Sequence, residues 1–187
     1  QTCEILDEAI TKGALRNVQI LVSNHPNHPA DLSRFAANPH FTIIGLGTHF
    51  GENPKETELT NNQHAFLADM LANADLLLWV ATTLGIDAAV FDTPEIAVNF
   101  DGKETLPYNK SVKKYLDEDH MKHLIATGGV HVARNPRALI DAMNRYLENP
   151  ALDREGRANI VAEQIVWNDG KAGERLLAAV RGALQDL

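Results

Sequence analysis

Cysteine and long apolar runs are the two features that this sequence lacks most clearly. Cys3 is the only cysteine among 187 residues, so no internal disulfide can form, and a chain of this length without one is typical of a reducing cytosol. No apolar run reaches the roughly 20 residues of a membrane span, and no charged-then-apolar signal segment stands at the start. The sequence therefore predicts a cytoplasmic protein without a transmembrane segment, and leaves open a peripheral membrane association of the full-length protein.

Basic residues are also in short supply. The chain has 17 Lys and Arg against 25 Asp and Glu, which gives a net charge of −8 and a pI of about 5.4. Nucleic acid is therefore excluded as the main partner, because a phosphate backbone needs a basic face. A single nucleotide is not excluded, since it needs only a few well-aimed donors in one cleft. A hydrophobic content of 44% with 22% charged residues is ordinary for one folded domain and argues against disorder.

Several familiar site motifs are missing as well. Histidines crowd the first third of the chain, but no HExxH pair or cysteine ligand set accompanies them, so we predict no metal site. There is no GxSxG elbow for a Ser-His-Asp hydrolase. The GxGxxG dinucleotide fingerprint is absent too.

Short apolar runs alternate with helical spacings along the chain. Strands are predicted at residues 18–22, 41–44, 75–80, 95–100 and 130–133. Helices are predicted at residues 1–10, 62–73, 82–91, 136–148, 154–166 and 171–187, with a long polar loop over residues 45–61. Alternating strands and helices indicate a parallel sheet with right-handed crossovers. We therefore predict one α/β domain over residues 1–187, a Rossmann-like, doubly wound parallel sheet with a helical C-terminal tail.

Two of these segments say more about the architecture. Residues 75–80 are apolar on both faces, as a central strand between two helix layers requires, whereas residues 95–100 alternate.

The opening helix has no strand or glycine turn before it, although doubly wound domains usually begin with a strand. We therefore expect this chain to be the C-terminal part of a two-domain protein.

The first candidate site comes directly after residues 75–80, because ligands of such sheets bind beyond the carboxyl ends of the strands. If Thr82 caps the next helix, its hydroxyl, that of Thr83 and free N–H groups can face a phosphate. Asp87 shares a helix face with Thr83 and suits ribose hydroxyls, while Gly85 would let a ligand or a neighbouring backbone approach closely. A purely structural role is equally open, because Thr is a common cap and the helix dipole alone favours an acid there.

The same rule adds two histidines as candidates. His25 comes after the first strand, where it could donate to a phosphate or a sugar hydroxyl, and Pro26 would fix the turn. A plain turn with a solvated histidine is the alternative. His120 lies upstream of the last strand and could reach the same cleft.

With these residues in hand, the sequence resembles the C-terminal, nucleotide-donor-binding domain of GT-B-fold transferases. Within them it is most similar to CDP-glycerol glycerophosphotransferases and related bacterial glycosyltransferases. The resemblance runs from about Val18 to the C-terminus. Its carriers are ILVSNHP at residues 20–26, NADLLL and TTLGIDAAVFDTP within residues 73–94, NPRALIDA at residues 135–142 and DGKA at residues 169–172.

The resemblance implies roles for residues already named. In the family, a Ser/Thr pair after the central strand meets the donor phosphates, an acid one turn later holds the ribose, and an HP loop lines the same pocket. Thr82, Thr83, Asp87 and His25 stand at those positions. The sequence departs from the family at Asp87, where many members have Glu, and at Asn24, where a basic residue is often found.

The implied function is donor binding in a transferase that moves a sugar or polyol phosphate from a nucleotide diphosphate donor to an acceptor, with no cofactor. The acceptor domain and the catalytic base would lie in a missing N-terminal half, so this chain alone is expected to be inactive and its catalytic residues stay unassigned. Three alternatives are open: a nucleotide-sugar epimerase similar to UDP-N-acetylglucosamine 2-epimerase, a non-catalytic module that senses a nucleotide or binds a partner, and a degenerate scaffold without a ligand. The predicted donor-binding residues are His25, Thr82, Thr83, Asp87 and His120.

Overall fold

The computed structural model describes residues 1–24, 30–49 and 57–185, in which strands and helices alternate. The strands are β1 (Ile20–Asn24), β2 (Phe41–Gly45), β3 (Thr48–His49), β4 (Thr57–Glu58), β5 (Leu77–Trp79), β6 (Glu95–Val98) and β7 (Val130–Ala133). The helices are α1 (Thr2–Thr11), α2 (Asn61–Asn73), α3 (Leu84–Val90), α4 (Lys113–Leu116), α5 (Asp119–Ala126), α6 (Pro136–Glu148), α7 (Arg154–Gln164) and α8 (Ala172–Gln185). Two short 3-10 helices lie at Ser33–Phe35 and Tyr108–Lys110.

The strands pair in three groups. β1 pairs with β2 in parallel, and β5, β6 and β7 form a second parallel sheet in that order. β3 and β4 pair antiparallel, so the prediction of a loop throughout residues 45–61 is wrong in part. The α/β class and the parallel strands are confirmed. A single doubly wound sheet of the GT-B type stays a prediction, because the two parallel sheets do not pair with each other in the described ranges.

One face of both parallel sheets is covered by α1 and α6. Apolar residues of these helices are buried against the side chains of β6 that face them, and Ile20 and Val22 of β1 and Leu78 of β5 pack on the same cluster. The core members include Ile5, Leu6, Ile96, Val98, Leu139 and Met143. The two sheets therefore share one apolar layer although their strands do not bond to each other.

The opposite face of the three-stranded sheet is covered by α3, α5 and α7. Trp79, Ala89, Ala97, Leu124 and Ile160 form a second buried cluster there. Because helices lie on both faces, all four residues of β6 are buried. The sequence of residues 95–100 alternates, but the strand is buried on both faces, since β6 is the central strand of this sheet.

Arg157 of α7 is buried, so a charged guanidinium lies inside the layer formed by α3, α5 and α7. Its Nη2 lies 2.8 Å from Asp92 Oδ1, and its guanidinium donates to the carbonyl oxygens of Leu152 at 2.6 Å and Pro150 at 2.9 Å. Arg154 Nε donates to the other Asp92 oxygen at 2.6 Å. Asp92 thus ties the turn between α3 and β6 to α7.

The C-terminal helix α8 packs on little of the domain. None of its residues is buried, and it exposes four large apolar side chains, those of Leu176, Leu177, Val180 and Leu184. Nowhere in the part of the chain that the structure describes is there a helix both long and apolar enough for a membrane crossing.

Asp92→Asn should destabilise the domain by about 2–3 kcal/mol. Removing one partner of a buried ion pair usually costs more, but Asp92 is 41% exposed and Arg157 keeps two carbonyl acceptors. Asn tolerates the left-handed backbone at this position, where φ is +58°, so the substitution removes the charge and one of the two oxygens that accept from Arg154 and Arg157. Denaturant unfolding measures the change.

The matched control is Asp169→Asn, which removes the exposed Asp169–Arg175 ion pair. We expect that loss to stay under about 1 kcal/mol. Equal effects of the two substitutions would contradict a buried role for the Asp92–Arg157 pair.

Candidate functional site

The candidate site begins in the short turn between β5 and α3, at the carboxyl end of β5. Ala81 adopts a left-handed backbone with φ +53°, a conformation that costs a non-glycine residue roughly 1–2 kcal/mol. Such strained residues persist where the surrounding structure fixes them, and they cluster at functional sites. The turn therefore has a defined and unusual shape immediately before the two threonines.

The two threonines play different parts in this turn. Thr82 lies outside α3 and its Oγ1 accepts a hydrogen bond from the Leu84 N–H at 3.2 Å. Thr83 is the N-cap residue, with no side-chain capping bond. The predicted helix at residues 82–91 is thus shorter than expected, and the cap position belongs to Thr83. Its hydroxyl is not committed to capping the helix.

A cleft of about 620 Å³ opens over this turn. Its lining residues are Ala81, Thr82, Thr83, Tyr115, Glu118, His120 and Met121. The structure therefore brings together three of the predicted site residues, although His120 is far from the two threonines in the chain. The wall opposite the threonines comes from α4 and the start of α5, a helical segment that the sequence did not predict.

The wall opposite the threonines carries an aromatic ring, an imidazole and a carboxylate. His120 Nε2 lies 3.7 Å from Glu118 Oε2, and both side chains are more than half exposed. The exposed ring of Tyr115 has Lys114 Nζ 4.8 Å from its centroid. Neither Lys nor Arg is among the lining residues that the structure describes, so an anion held by this lining would depend on hydroxyls, backbone N–H groups and His120.

Tyr115 and Glu118 are site-lining residues that sequence reasoning missed. Both belong to the same short segment as His120, but neither was expected to line the cleft. Tyr115 lies in α4 and Glu118 is the extended N-cap residue of α5, so helical spacing does not link them, and their nearness in sequence to His120 is the signal that could have found them.

The other two predicted residues have different outcomes. Asp87 is exposed on α3 and is not among the lining residues, although partial burial raises the pKa of its carboxyl above the ordinary value. His25 lies outside the described residues. The structure thus joins Thr82, Thr83 and His120, and leaves Asp87 further along α3.

A buried carboxyl lies directly beneath the site turn. Glu95, the first residue of β6, is fully buried, and its Oε2 accepts a hydrogen bond from Trp79 Nε1 at 3.0 Å. Its Oε1 has no hydrogen-bond partner among the residues that the structure describes. Burial raises the pKa of Glu95 to about 8, against smaller opposing effects of the Trp79 bond and the Arg157 charge. The carboxyl is therefore largely neutral at neutral pH, as a buried acid must be.

Gly85 leaves room for that carboxyl. A Cβ at this position would lie 2.3 Å from Glu95 Oε2 and 3.2 Å from Trp79 Nε1. The expectation that Gly85 admits a ligand or a neighbouring backbone is therefore wrong, since the group that approaches it is a buried side chain. No local pattern signalled this contact, because Glu95 stands in a strand that was expected to face solvent on alternate residues.

A second cleft, of about 440 Å³, lies between residues 127–128 and the start of α7. It stands at the amino end of β7, whereas ligands of parallel sheets bind at the carboxyl ends. The cleft over β5 is therefore the better candidate. Within the described ranges, no three His, Cys, Asp or Glu side chains come close enough to hold a metal ion.

Comparison with protein-family models, with curated proteins and with solved structures gave no match to this chain.

Gly85→Ala should destabilise the domain by about 1–3 kcal/mol, because the added methyl overlaps the Glu95 carboxyl in a packed interior. An unobstructed Gly→Ala change inside a helix would instead be favourable by up to about 1 kcal/mol. Gly173→Ala on α8, where no atom lies within 4 Å of the new methyl, is the control and should leave the unfolding of the core unchanged. A neutral or stabilising Gly85→Ala would contradict the contact.

Glu95→Gln should become increasingly stable relative to wild type as the pH rises. The pKa of Glu95 is higher in the folded protein, at about 8, than the ordinary 4.5, so its contribution to stability is complete below pH 4.5 and is lost as the pH rises through 8. The variant has no ionisable group at this position, so its stability does not fall for this reason as the pH rises. Its amide oxygen still accepts the hydrogen bond from Trp79. The difference in free energy of unfolding between the two proteins should grow by on the order of 2–4 kcal/mol between pH 5 and pH 8, and parallel pH profiles would overturn the prediction.

Proposed function

We propose that this domain binds the nucleotide-linked donor of a transferase that moves a sugar or polyol phosphate to an acceptor. The observation that carries the proposal is the cleft at the carboxyl end of β5, where Thr82, Thr83 and His120 converge. Parallel sheets bind their ligands at this edge. The fixed left-handed turn at Ala81 supplies a preformed shape, which lowers the cost of ordering the site on binding.

In this proposal the Thr83 hydroxyl and the backbone N–H groups of the turn hold the donor diphosphate. His120 donates a hydrogen bond from the opposite wall when it carries a proton on the facing nitrogen. Together these donors stabilise the negative charge that builds up on the diphosphate when the transferred group leaves. The exposed ring of Tyr115 offers an apolar surface to the sugar or the nucleobase.

Asp87 fits the same proposal as the ribose-binding residue, although it does not line the cleft. It is four residues beyond Thr83, a rise of about 6 Å along a helix, and this offset runs in the direction from phosphate to ribose if the nucleotide lies along α3. Its exposed carboxylate can accept hydrogen bonds from two neighbouring hydroxyls.

We propose that a second domain supplies the base for the acceptor, so that this chain binds donor without turning it over. A nucleotide-sugar epimerase and a nucleotide-sensing module would use the same pocket. They differ from the transferase in the fate of the bound nucleotide, and a non-catalytic sensor in particular fits a lining in which the described residues include neither Lys nor Arg.

The test is calorimetric titration of the chain with UDP, CDP, a UDP-sugar and CDP-glycerol. We expect at least one to bind, and we expect Thr83→Ala to weaken binding about tenfold, the loss of one hydrogen bond to a charged group. Thr83→Ser should restore binding. Thr105→Ala, at an exposed position that is not among the lining residues of the cleft, is the matched control and should bind as wild type.

Absence of binding for all four compounds at millimolar concentration would contradict the proposal. Equal affinities of wild type and Thr83→Ala would contradict the placement of the phosphates.

A further inference from the structure

The C-terminal helix α8 exposes an apolar face along its length. Leu177, Val180 and Leu184 repeat at intervals of three and four residues, so they lie on one side of the helix, and Leu176 borders them. These four side chains are between 47% and 68% exposed, and we call them the α8 face. A contiguous apolar surface of this kind usually marks a site of interaction.

The chain holds α8 by the side of the helix opposite to this face. Arg175 donates to both oxygens of the Asp169 carboxylate, at 2.8 and 2.5 Å, and its guanidinium carbon lies 4.5 Å from the centre of the Trp167 ring. Arg175 is two residues before Leu177, which places it about 200° around the helix from that residue. These contacts therefore fix the start of α8 and leave the α8 face exposed.

Two residues of opposite charge flank the α8 face on one side. Glu174 and Arg181 are seven residues apart, so they lie nearly in line along the helix, two turns from each other. Both side chains are exposed. The rise between them is about 10 Å, which is too far for the two to form an ion pair with each other. One flank of the face thus carries a negative charge at its start and a positive charge further along.

An antiparallel second copy of α8 fits this face at one register. When Leu177 of one helix lies against Val180 of the other, Leu184 of the first lies against Gly173 of the second. No described atom lies within 4 Å of a methyl group added at Gly173, so there is open space for the leucine side chain to fill. Each of these contacts occurs twice, related by a two-fold axis, as a symmetric interface requires.

The same register brings opposite charges together. Because the second helix runs in the opposite direction, each flank of one helix meets the same flank of the other. Glu174 of each copy therefore faces Arg181 of the other, which gives two ion pairs of the kind that sets orientation in paired helices. A parallel pair would place Gly173 against Gly173, with a gap between them, and Arg181 against Leu176. Side-chain size and charge both favour the antiparallel pair.

We propose that α8 is a self-association surface, which binds the α8 helix of a second copy of this chain in an antiparallel, two-fold-symmetric pair. The helix has 14 residues, so the apolar seam is about 21 Å long. Such a seam is smaller than the roughly 800 Å² per partner of a standard stable interface. The dimer is therefore weak, with a dissociation constant in the micromolar range, and it forms and separates with protein concentration.

Sedimentation equilibrium of the 187-residue chain from micromolar to submillimolar concentration tests the proposal. We expect a monomer–dimer equilibrium. Glu174→Arg and Arg181→Glu each replace two attractive contacts by two repulsive ones, and each should weaken the dimer by at least about tenfold. Glu163→Arg makes the same charge change at an exposed position of α7 and is the matched control, which should dimerise as wild type.

A mixture of the two charge-reversal variants identifies the occupant as a second copy. In a mixed antiparallel pair the two basic side chains of the Glu174→Arg chain face the two acidic ones of the Arg181→Glu chain. The mixture should therefore dimerise about as tightly as wild type, although each variant alone does not.

A wild-type chain that stays monomeric at submillimolar concentration would overturn the proposal. Dimerisation unaffected by both reversals, or a mixture that associates no more tightly than the separate variants, would overturn it as well. The donor-site proposal is untouched by these results, because none of the described lining residues of the cleft belongs to α8.

Discussion

The hydrogen bond from Trp79 to Glu95 is the interaction on which the candidate site depends. It joins the last residue of β5 to the first residue of β6 at 3.0 Å inside the core, and the carboxyl fits there only because Gly85 has no side chain. One buried contact therefore fixes β5, β6 and α3 relative to one another. The turn that carries Thr82 and Thr83 lies between two of these elements, so its shape depends on the packing below it.

Two buried ionisable side chains, those of Glu95 and Arg157, avoid an unpaired charge in different ways. The Glu95 carboxyl avoids an uncompensated charge by a raised pKa, whereas Arg157 keeps its charge and is matched by Asp92 and two carbonyl oxygens. Both solutions obey the rule that an unpaired charge is too costly to bury. Among the described lining residues of the cleft there is neither Lys nor Arg, so recognition by this lining falls to hydroxyls, backbone N–H groups and a histidine.

The sequence could predict what depends on local pattern. The apolar run at residues 75–80 located β5, and Asn135 with Pro136 marked the start of α6, where the Asn side chain accepts from the Ala138 amide at 2.8 Å. It also directed attention to the residues after β5, which do line a cleft. Glu95 could not be predicted, because its burial depends on α3 covering a strand whose own pattern suggests an exposed face. The division of the sheet between β1 and β5 is equally invisible locally, since both strands have ordinary apolar sequences.

Ligand recognition at the carboxyl end of β5 can be located residue by residue from the amide chemical shifts of the isotope-labelled chain during titration with UDP. We expect the largest changes on residues 81–84 and on His120, with smaller ones along α3 toward Asp87. Saturating UDP without changes at these positions, or with changes centred on residues 127–128 and the start of α7, would contradict a binding site over β5.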